Sequence, residues 1–290
     1  MVTFTRERLI GVIVAVILGG VAFVFGLRWL EFLITFHPVR VPANQTLPVP
    51  AGAEDVWFSA ADGTRLHGWF FRSESEPETA TIIYFHGNGG NISNIDWVGQ
   101  QFAKRGYDVL LFDYRGYGRS EGEVGSESGL YADGDAAFAF VLNKGARPER
   151  VVLYGQSLGT TIVADVASRQ DVGAVILESG LSSASSVART ALPWLPEWLH
   201  FLGTNRFEAA AKLAHVKAPI LITHGDPDPV IPTEEARILF TRANEPKQLL
   251  IFPGAGHNVF GSQGDVYLSR LEQFILEALQ ETTPEIMARS

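Results

Sequence analysis

Val151-Val152-Leu153-Tyr154-Gly155-Gln156-Ser157-Leu158-Gly159 reads as a buried strand running into a turn. Its first four residues are β-branched, aliphatic or aromatic without polar alternation, the pattern of a strand covered on both faces. Gly155-x-Ser157-x-Gly159 then fits a strand-to-helix turn so sharp that side chains beside the serine would collide. A helix is expected over 158–169, so Ser157 would stand out of the sheet edge at a helix N-terminus, where backbone amides favour developing negative charge. Ser157 is the candidate nucleophile, and the amide of Leu158 is one candidate donor to an oxyanion. A serine that only caps the helix is the competing reading, and it loses weight as further motifs accumulate.

Working outward, similar apolar runs occur at 81–85, 109–113, 174–177, 220–223 and 249–252. Helices are expected between them, over 92–105, 129–144, 233–243 and 263–279. Residues 55–59 and 65–72, separated by Ala61-Asp62-Gly63, look like an antiparallel hairpin. The expected fold class is α/β: a mostly parallel, doubly wound sheet of about eight strands with an antiparallel start. One connection, from Leu177 to Ile220, spans about 40 residues where a crossover needs about a dozen, which marks a short helical cap inserted over 178–217. Its centre, Leu192-Pro193-Trp194-Leu195-Pro196-Glu197-Trp198-Leu199, either lines an acyl pocket, touches a bilayer or packs on the core.

A serine hydroxyl needs a base to take its proton and a third group to hold that base in one tautomer. Of seven histidines, His257 lies in a loop after the last expected strand, as a Ser, Asp, His order requires. His86 and His224 each end a strand before a glycine and are expected to brace the loops they begin. For the acid, Asp226 and Asp228 stand in one loop, and strand position alone does not separate them. A second oxyanion donor is expected from His86-Gly87-Asn88-Gly89-Gly90-Asn91, at the amide of Asn88. A phosphate cradle is the rival reading of that loop. No Gly-Lys-Ser/Thr follows it, however, and position 92 is isoleucine rather than glycine.

These segments together resemble the α/β-hydrolase-domain serine hydrolases of the prolyl-oligopeptidase-like branch that carry an N-terminal membrane anchor. The resemblance runs from about residue 55 to 280 and includes the elbow, the 86–91 loop, Asp113-Tyr114-Arg115-Gly116-Tyr117-Gly118-Arg119-Ser120-Glu121-Gly122, Leu177-Glu178-Ser179 and the acid loop. It implies an α/β-hydrolase fold and an acid loop of the form H-G-x-x-D-x-x-V/I-P, which assigns the catalytic carboxylate to Asp228. It also implies a structural 113–122 loop, and ester or thioester rather than peptide substrates. The family commonly has proline after Glu-Ser; here Gly180 follows Ser179.

The N-terminal part has a different character. Residues 9–27 form an unbroken run of apolar residues and glycine, long enough to cross about 30 Å of hydrocarbon, and no Ala-x-Ala-like cleavage site follows. The expected organisation is a transmembrane anchor over 1–37, a proline-punctuated extended linker over 38–53 and a catalytic domain over 54–290. The positions of Arg6, Arg8, Arg28 and Arg40 only weakly favour an extracytoplasmic domain. Trp29, Phe32, Leu33 and Phe36 recur at helical spacing, suited either to the headgroup layer or to packing on the domain.

The net charge is −9, with no basic block, which disfavours nucleic-acid partners. The absence of cysteine excludes disulfides and thiolate chemistry. The expected activity is acyl transfer to water on small-molecule or lipid-derived acyl substrates, with no metal or organic cofactor. Acyltransferase or peptidase activity on the same residues, or a non-catalytic binding module, are the alternatives. Oligomeric state is not legible.

Overall fold

A computed structural model describes residues 6–42, 44–191, 194 and 204–287. In chain order the elements are α1 (Arg6–Thr35), β1 (His37–Pro38), β2 (Ala53–Ser59), β3 (Arg65–Phe71), β4 (Ala80–Phe85), β5 (Gly89–Gly90), α2 (Asp96–Ala103), β6 (Tyr107–Phe112) and α3 (Glu127–Asn143). They continue with β7 (Val151–Gln156), α4 (Gly159–Arg169), β8 (Ala174–Glu178), α5 (Ala184–Ala191), α6 (Ala209–Leu213), β9 (Ile220–Asp226), α7 (Glu234–Arg242), β10 (Lys247–Pro253), α8 (Val259–Gln263) and α9 (Asp265–Met287).

Eight strands form one sheet in the order β10-β9-β8-β7-β4-β6-β3-β2. The β2–β3 and β3–β6 pairs are antiparallel and the rest are parallel. Strands β4, β6 and β8 are buried along their whole length. Successive residues feed opposite layers of the core. Ile82, Tyr84, Val109, Leu111, Val152, Tyr154 and Ile176 face one side; Ile83, Phe85, Leu110, Phe112, Leu153 and Leu177 face the other. Each such side chain contributes roughly 1.5–3 kcal/mol through removal from water, which is why these runs carry no polar alternation.

The strand order reverses at β4, which lies between β7 and β6. Loops leaving adjacent strands in opposite directions open a crevice at such a point, where ligands collect in open α/β sheets. The loops there are the 86–91 segment after β4 and the elbow after β7.

Two helices differ from their sequence expectation. The 92–105 stretch divides into a single 3₁₀ turn, Ile92–Asn94, and α2, because the Asn91 side chain caps the first turn and Asn94 returns a bond to the Asn91 amide. The 263–279 stretch is preceded by α8 and broken at Gly264, whose φ of 51° lies in the left-handed region. The β8–β9 connection contains α5 and α6; of the aromatic patch 192–199, only Trp194 is among the described residues, and it is exposed.

The N-terminal helix α1 includes a 19-residue stretch, Arg8–Gly26, with mean hydropathy 2.8 and none of its window buried. At 1.5 Å per residue it is about 28 Å long, enough to span a hydrocarbon layer. Beyond it the chain is held on the domain: β1 pairs in parallel with β5, and Val41 donates to the Gly118 carbonyl at 2.8 Å, before turns closed by Gln45 on Pro42 and by Ala53 on Pro50 lead into β2. Phe36 is buried and meets Phe207 edge-on, which is the packing alternative for that residue. The side chains of Trp29, Phe32 and Leu33 lie outside the described residues.

The loop after β6 is braced by ions. The Arg115 guanidinium donates to both oxygens of the fully buried Asp133, and to Asp62 at 2.8 Å. Burial raises the Asp133 carboxyl, with Arg115 opposing the rise. Replacing Arg115 by leucine strands a buried carboxylate, which typically costs about 3–5 kcal/mol. Denaturant titration of Arg115→Leu is expected to show a loss of that order; an unchanged unfolding midpoint contradicts a structural role.

Candidate active site

Ser157 sits between β7 and α4 with a φ of 53°, left-handed backbone that a serine adopts only when its surroundings enforce it. The enforcement is steric. A Cβ at Gly159 would lie 2.0 Å from the Phe85 carbonyl oxygen, and one at Gly155 would lie 2.7 Å from the Gly159 backbone. Only glycine lets the helix start press this closely on β4 and β7. The Ser157 amide donates to the Glu178 carbonyl at 2.9 Å, and the Ser157 carbonyl accepts from the amide and hydroxyl of Thr160.

His257, in the loop after β10, brings Nε2 to 3.0 Å from Ser157 Oγ and Nδ1 to 2.7 Å from Asp228 Oδ2. With the ionised carboxylate accepting from Nδ1–H, Nε2 is left to accept the serine proton. Asp228 turns back on its own loop: Oδ1 accepts from the amides of Val230 and Ile231, at 2.8 and 3.0 Å. Burial raises its carboxyl, but donors from His224, His257, Ile231 and Val230 outweigh that and hold it well below the usual carboxylate range. Asp226 is exposed and meets Thr233 Oγ1 at 3.3 Å, away from His257. The loop therefore brings one of the two sequence candidates to the histidine and turns the other outward.

The 86–91 loop lies against the elbow. A Cβ on Gly87 would come within 3.4 Å of Ser157 Cβ and 2.4 Å of Gln156 Oε1. Among the described residues, neither the Asn88 nor the Leu158 amide donates in the loop and turn bonds of the backbone. His86 Nδ1 bonds the Gly87 carbonyl at 2.7 Å, and burial pushes the ring down to about 4, so it is neutral. The Tyr114 hydroxyl donates to the His86 carbonyl at 2.8 Å, locking this loop to the one after β6.

Two residues have supporting roles that go beyond the sequence reading. His224, expected only to brace its loop, does so through Nε2 to the Ile231 carbonyl at 2.9 Å, and the same nitrogen lies 3.1 Å from Asp228 Oδ2. The i,i+4 spacing of His224 and Asp228 was the available signal. Glu178 is fully buried; Oε1 accepts from the Phe260 amide at 3.0 Å and Oε2 from the Tyr154 hydroxyl at 2.5 Å. Burial raises its carboxyl despite these donors. Through Phe260 it pins the start of α8, three residues after His257.

Comparison with known proteins follows the same lines. The Hydrolase_4 family, described as serine aminopeptidase, matches residues 76–208. The chain is 38% identical over 247 residues to the uncharacterized protein YfhR of Escherichia coli K12, covering 80% of this chain and 84% of that one. It is 35% identical over 220 residues to alpha/beta hydrolase domain-containing protein 17B of Xenopus tropicalis, covering 75% and 73%. The chain belongs to the α/β-hydrolase family. This α/β-hydrolase is a serine hydrolase by class, and its fold is also that of the Pyrococcus furiosus esterase Pf2001, with a TM-score of 0.64 at 23% identity over 84% of this chain and 98% of that one.

A carboxyl held below its unfolded value stabilises the fold above the ordinary aspartate range, and that contribution is lost as pH falls through the lower, folded value. The stability gap between wild type and Asp228→Asn is accordingly expected to be widest from about pH 5 upward and to close progressively below about pH 4. Denaturant titrations of both proteins across that range check this; a gap independent of pH contradicts the depressed carboxyl.

Proposed function

We propose that this α/β-hydrolase cleaves carboxylic esters or thioesters through a Ser157–His257–Asp228 triad and a covalent acyl-enzyme. The observation that carries the reading is the relay itself, Ser157 Oγ to His257 Nε2 at 3.0 Å and His257 Nδ1 to Asp228 Oδ2 at 2.7 Å. Both contacts are within proton-transfer reach.

In this reading Ser157 Oγ attacks the acyl carbonyl while its proton passes to His257 Nε2. The carbonyl electrons move onto oxygen, where the Leu158 and Asn88 amides donate to the oxyanion. Collapse of the tetrahedral adduct breaks the bond to the alcohol or thiol, which leaves with the proton from His257. Water then enters, gives its proton to His257, adds to the acyl carbon, and the acid departs as Ser157 regains its hydrogen. Asp228 keeps the imidazole in one tautomer and offsets its positive charge.

The long apolar helix supports a membrane-anchored enzyme acting on lipid-derived acyl groups. The Lys/Arg balance supports an extracytoplasmic domain, and the motif set supports the prolyl-oligopeptidase-like branch. The 38–53 and 178–217 segments are read as connector and cap of the 54–290 catalytic domain. A second reading, aminopeptidase action, is favoured by the description of the matched family.

The test is labelling of detergent-solubilised protein by a fluorophosphonate, followed by kcat/KM on p-nitrophenyl esters of increasing chain length and on aminoacyl p-nitroanilides. Labelling is expected in wild type and absent in Ser157→Ala, with esters turned over far faster than anilides; the reverse preference selects the aminopeptidase. Asp228→Asn is expected to lower kcat by about 10⁴, and Asp226→Asn to leave it within a few-fold. A larger loss at position 226 overturns the assignment of the acid.

A further inference from the structure

The side chain of Asn88 uses its full hydrogen-bonding capacity, two donors and two acceptor sites, and three of its four bonds reach back to the end of the N-terminal helix. Nδ2 donates to the Thr35 carbonyl at 2.7 Å and to His37 Nδ1 at 2.9 Å. Oδ1 accepts from the His37 amide at 3.0 Å and from the buried Tyr117 hydroxyl at 2.9 Å. A carbonyl can only accept and an amide N–H can only donate, so Thr35 and the His37 backbone fix the orientation of the side-chain amide.

The same segment is stitched to the neighbouring loops. His37 and Pro38 register with Gly89 and Gly90. The Val39 carbonyl accepts from Asn91 Nδ2 at 3.1 Å and from the Gly118 amide at 3.0 Å, and Arg40 donates to the Gly122 carbonyl. Gly89 and Gly90 give the 86–91 loop little side-chain packing of its own. The loop's position is thus set largely by what it bonds.

We propose that residues 35–41 are a positioning strap for the oxyanion loop, with His37 as its principal side-chain contact, so that the end of the apolar helix is tied to catalytic competence. The inference rests on the reading of Asn88 as an oxyanion donor. His37 touches neither nucleophile nor base; it acts through Asn88, whose backbone amide moves when its side chain is released. Small displacements of such a donor are costly, since its value lies in being aimed at the transition-state oxygen rather than at the ground-state carbonyl. The strap's effect is therefore confined to kcat and to tetrahedral mimics, and ground-state affinity is unaffected.

The experiment uses the full chain in detergent and compares wild type, His37→Leu, His37→Asn, Asn88→Leu and the His37→Leu, Asn88→Leu double variant. For each, kcat and KM are measured on one p-nitrophenyl ester, affinity for an aliphatic trifluoromethyl ketone is measured, and Tm is recorded. His37 is exposed, so its variants are expected to fold. Removing an oxyanion donor outright costs 10²–10³ in kcat, so displacing one in His37→Leu is expected to cost about 10-fold or more. KM should stay within about twofold, ketone affinity should fall in parallel with kcat and Tm should hold. Asparagine keeps an acceptor near the position of Nδ1, so His37→Asn should recover most of the loss. His37→Leu should add nothing in the Asn88→Leu background, because both act through one contact.

Unchanged kcat and ketone affinity in His37→Leu, or a loss that appears equally in KM, overturns the strap. A His37→Asn variant as impaired as His37→Leu at full Tm does the same. A wild type inert to the fluorophosphonate and to every ester removes the underlying catalytic reading instead.

Discussion

The approach of the α4 start to the end of β4 is the constraint on which the site depends. At Gly159 the backbone passes so close to the Phe85 carbonyl that no side chain fits, and the left-handed Ser157 between β7 and α4 follows from that closeness. Strain of this kind, about 1–3 kcal/mol for a residue outside its preferred region, persists only where the surrounding structure over-determines it. Here the burial of Tyr154, Leu158, Ile162 and Val163 fixes strand and helix on both sides of the turn. The same approach sets the 86–91 loop beside the elbow, because that loop begins where β4 ends.

Around this turn the polar groups divide into two sets. Ser157 and the half-buried His257 are in contact with each other and form the proposed reactive pair, whereas His86, Glu178 and His224 are enclosed and each bonds loop backbone, Glu178 also the Tyr154 hydroxyl and His224 also Asp228. The enclosed set holds the loops that carry the reactive pair. Asp228 belongs to both: one carboxylate oxygen is committed to its own loop, the other is shared by His224 and His257. Such an arrangement fixes the ring of His257 from behind while leaving Nε2 directed at the serine.

The eight-strand sheet was legible because its strands are buried on both faces and so appear as unbroken apolar runs. The placement of Ser157 on the strand-to-helix turn and of His257 in the loop after the last strand was legible because turn chemistry and chain order constrain them. The choice between Asp226 and Asp228 was not open to spacing alone. Asp226 is the last residue of β9, and the chain reverses immediately after it, so the direction each carboxylate takes depends on the Val230 and Ile231 amides rather than on distance from the strand. The 38–53 segment illustrates a different limit. Its prolines gave it the composition of a free connector, but its attachment runs through carbonyls and amides at 35–41 and the side chain of Asn88, and backbone bonds leave no mark on composition. The last helix begins at Asp265 rather than at 263 because Gly264, with its positive φ, ends the short helix α8 before it, and a glycine without a side chain carries no periodic signal of that break.

Ser157 and His257, the proposed nucleophile and base, are 100 positions apart in the chain, and this separation has a consequence for biosynthesis. Contacts of high sequence separation form only after the intervening chain has been made and packed. A nascent polypeptide that has emerged as far as β9 already contains the elbow, but the β10 edge strand and the loop that presents His257 do not yet exist. Until β10 and the loop after it dock beside β9, Ser157 lacks the proton acceptor proposed for it. Translation order thus withholds the proposed proton acceptor from the elbow until the chain beyond β9 has been made.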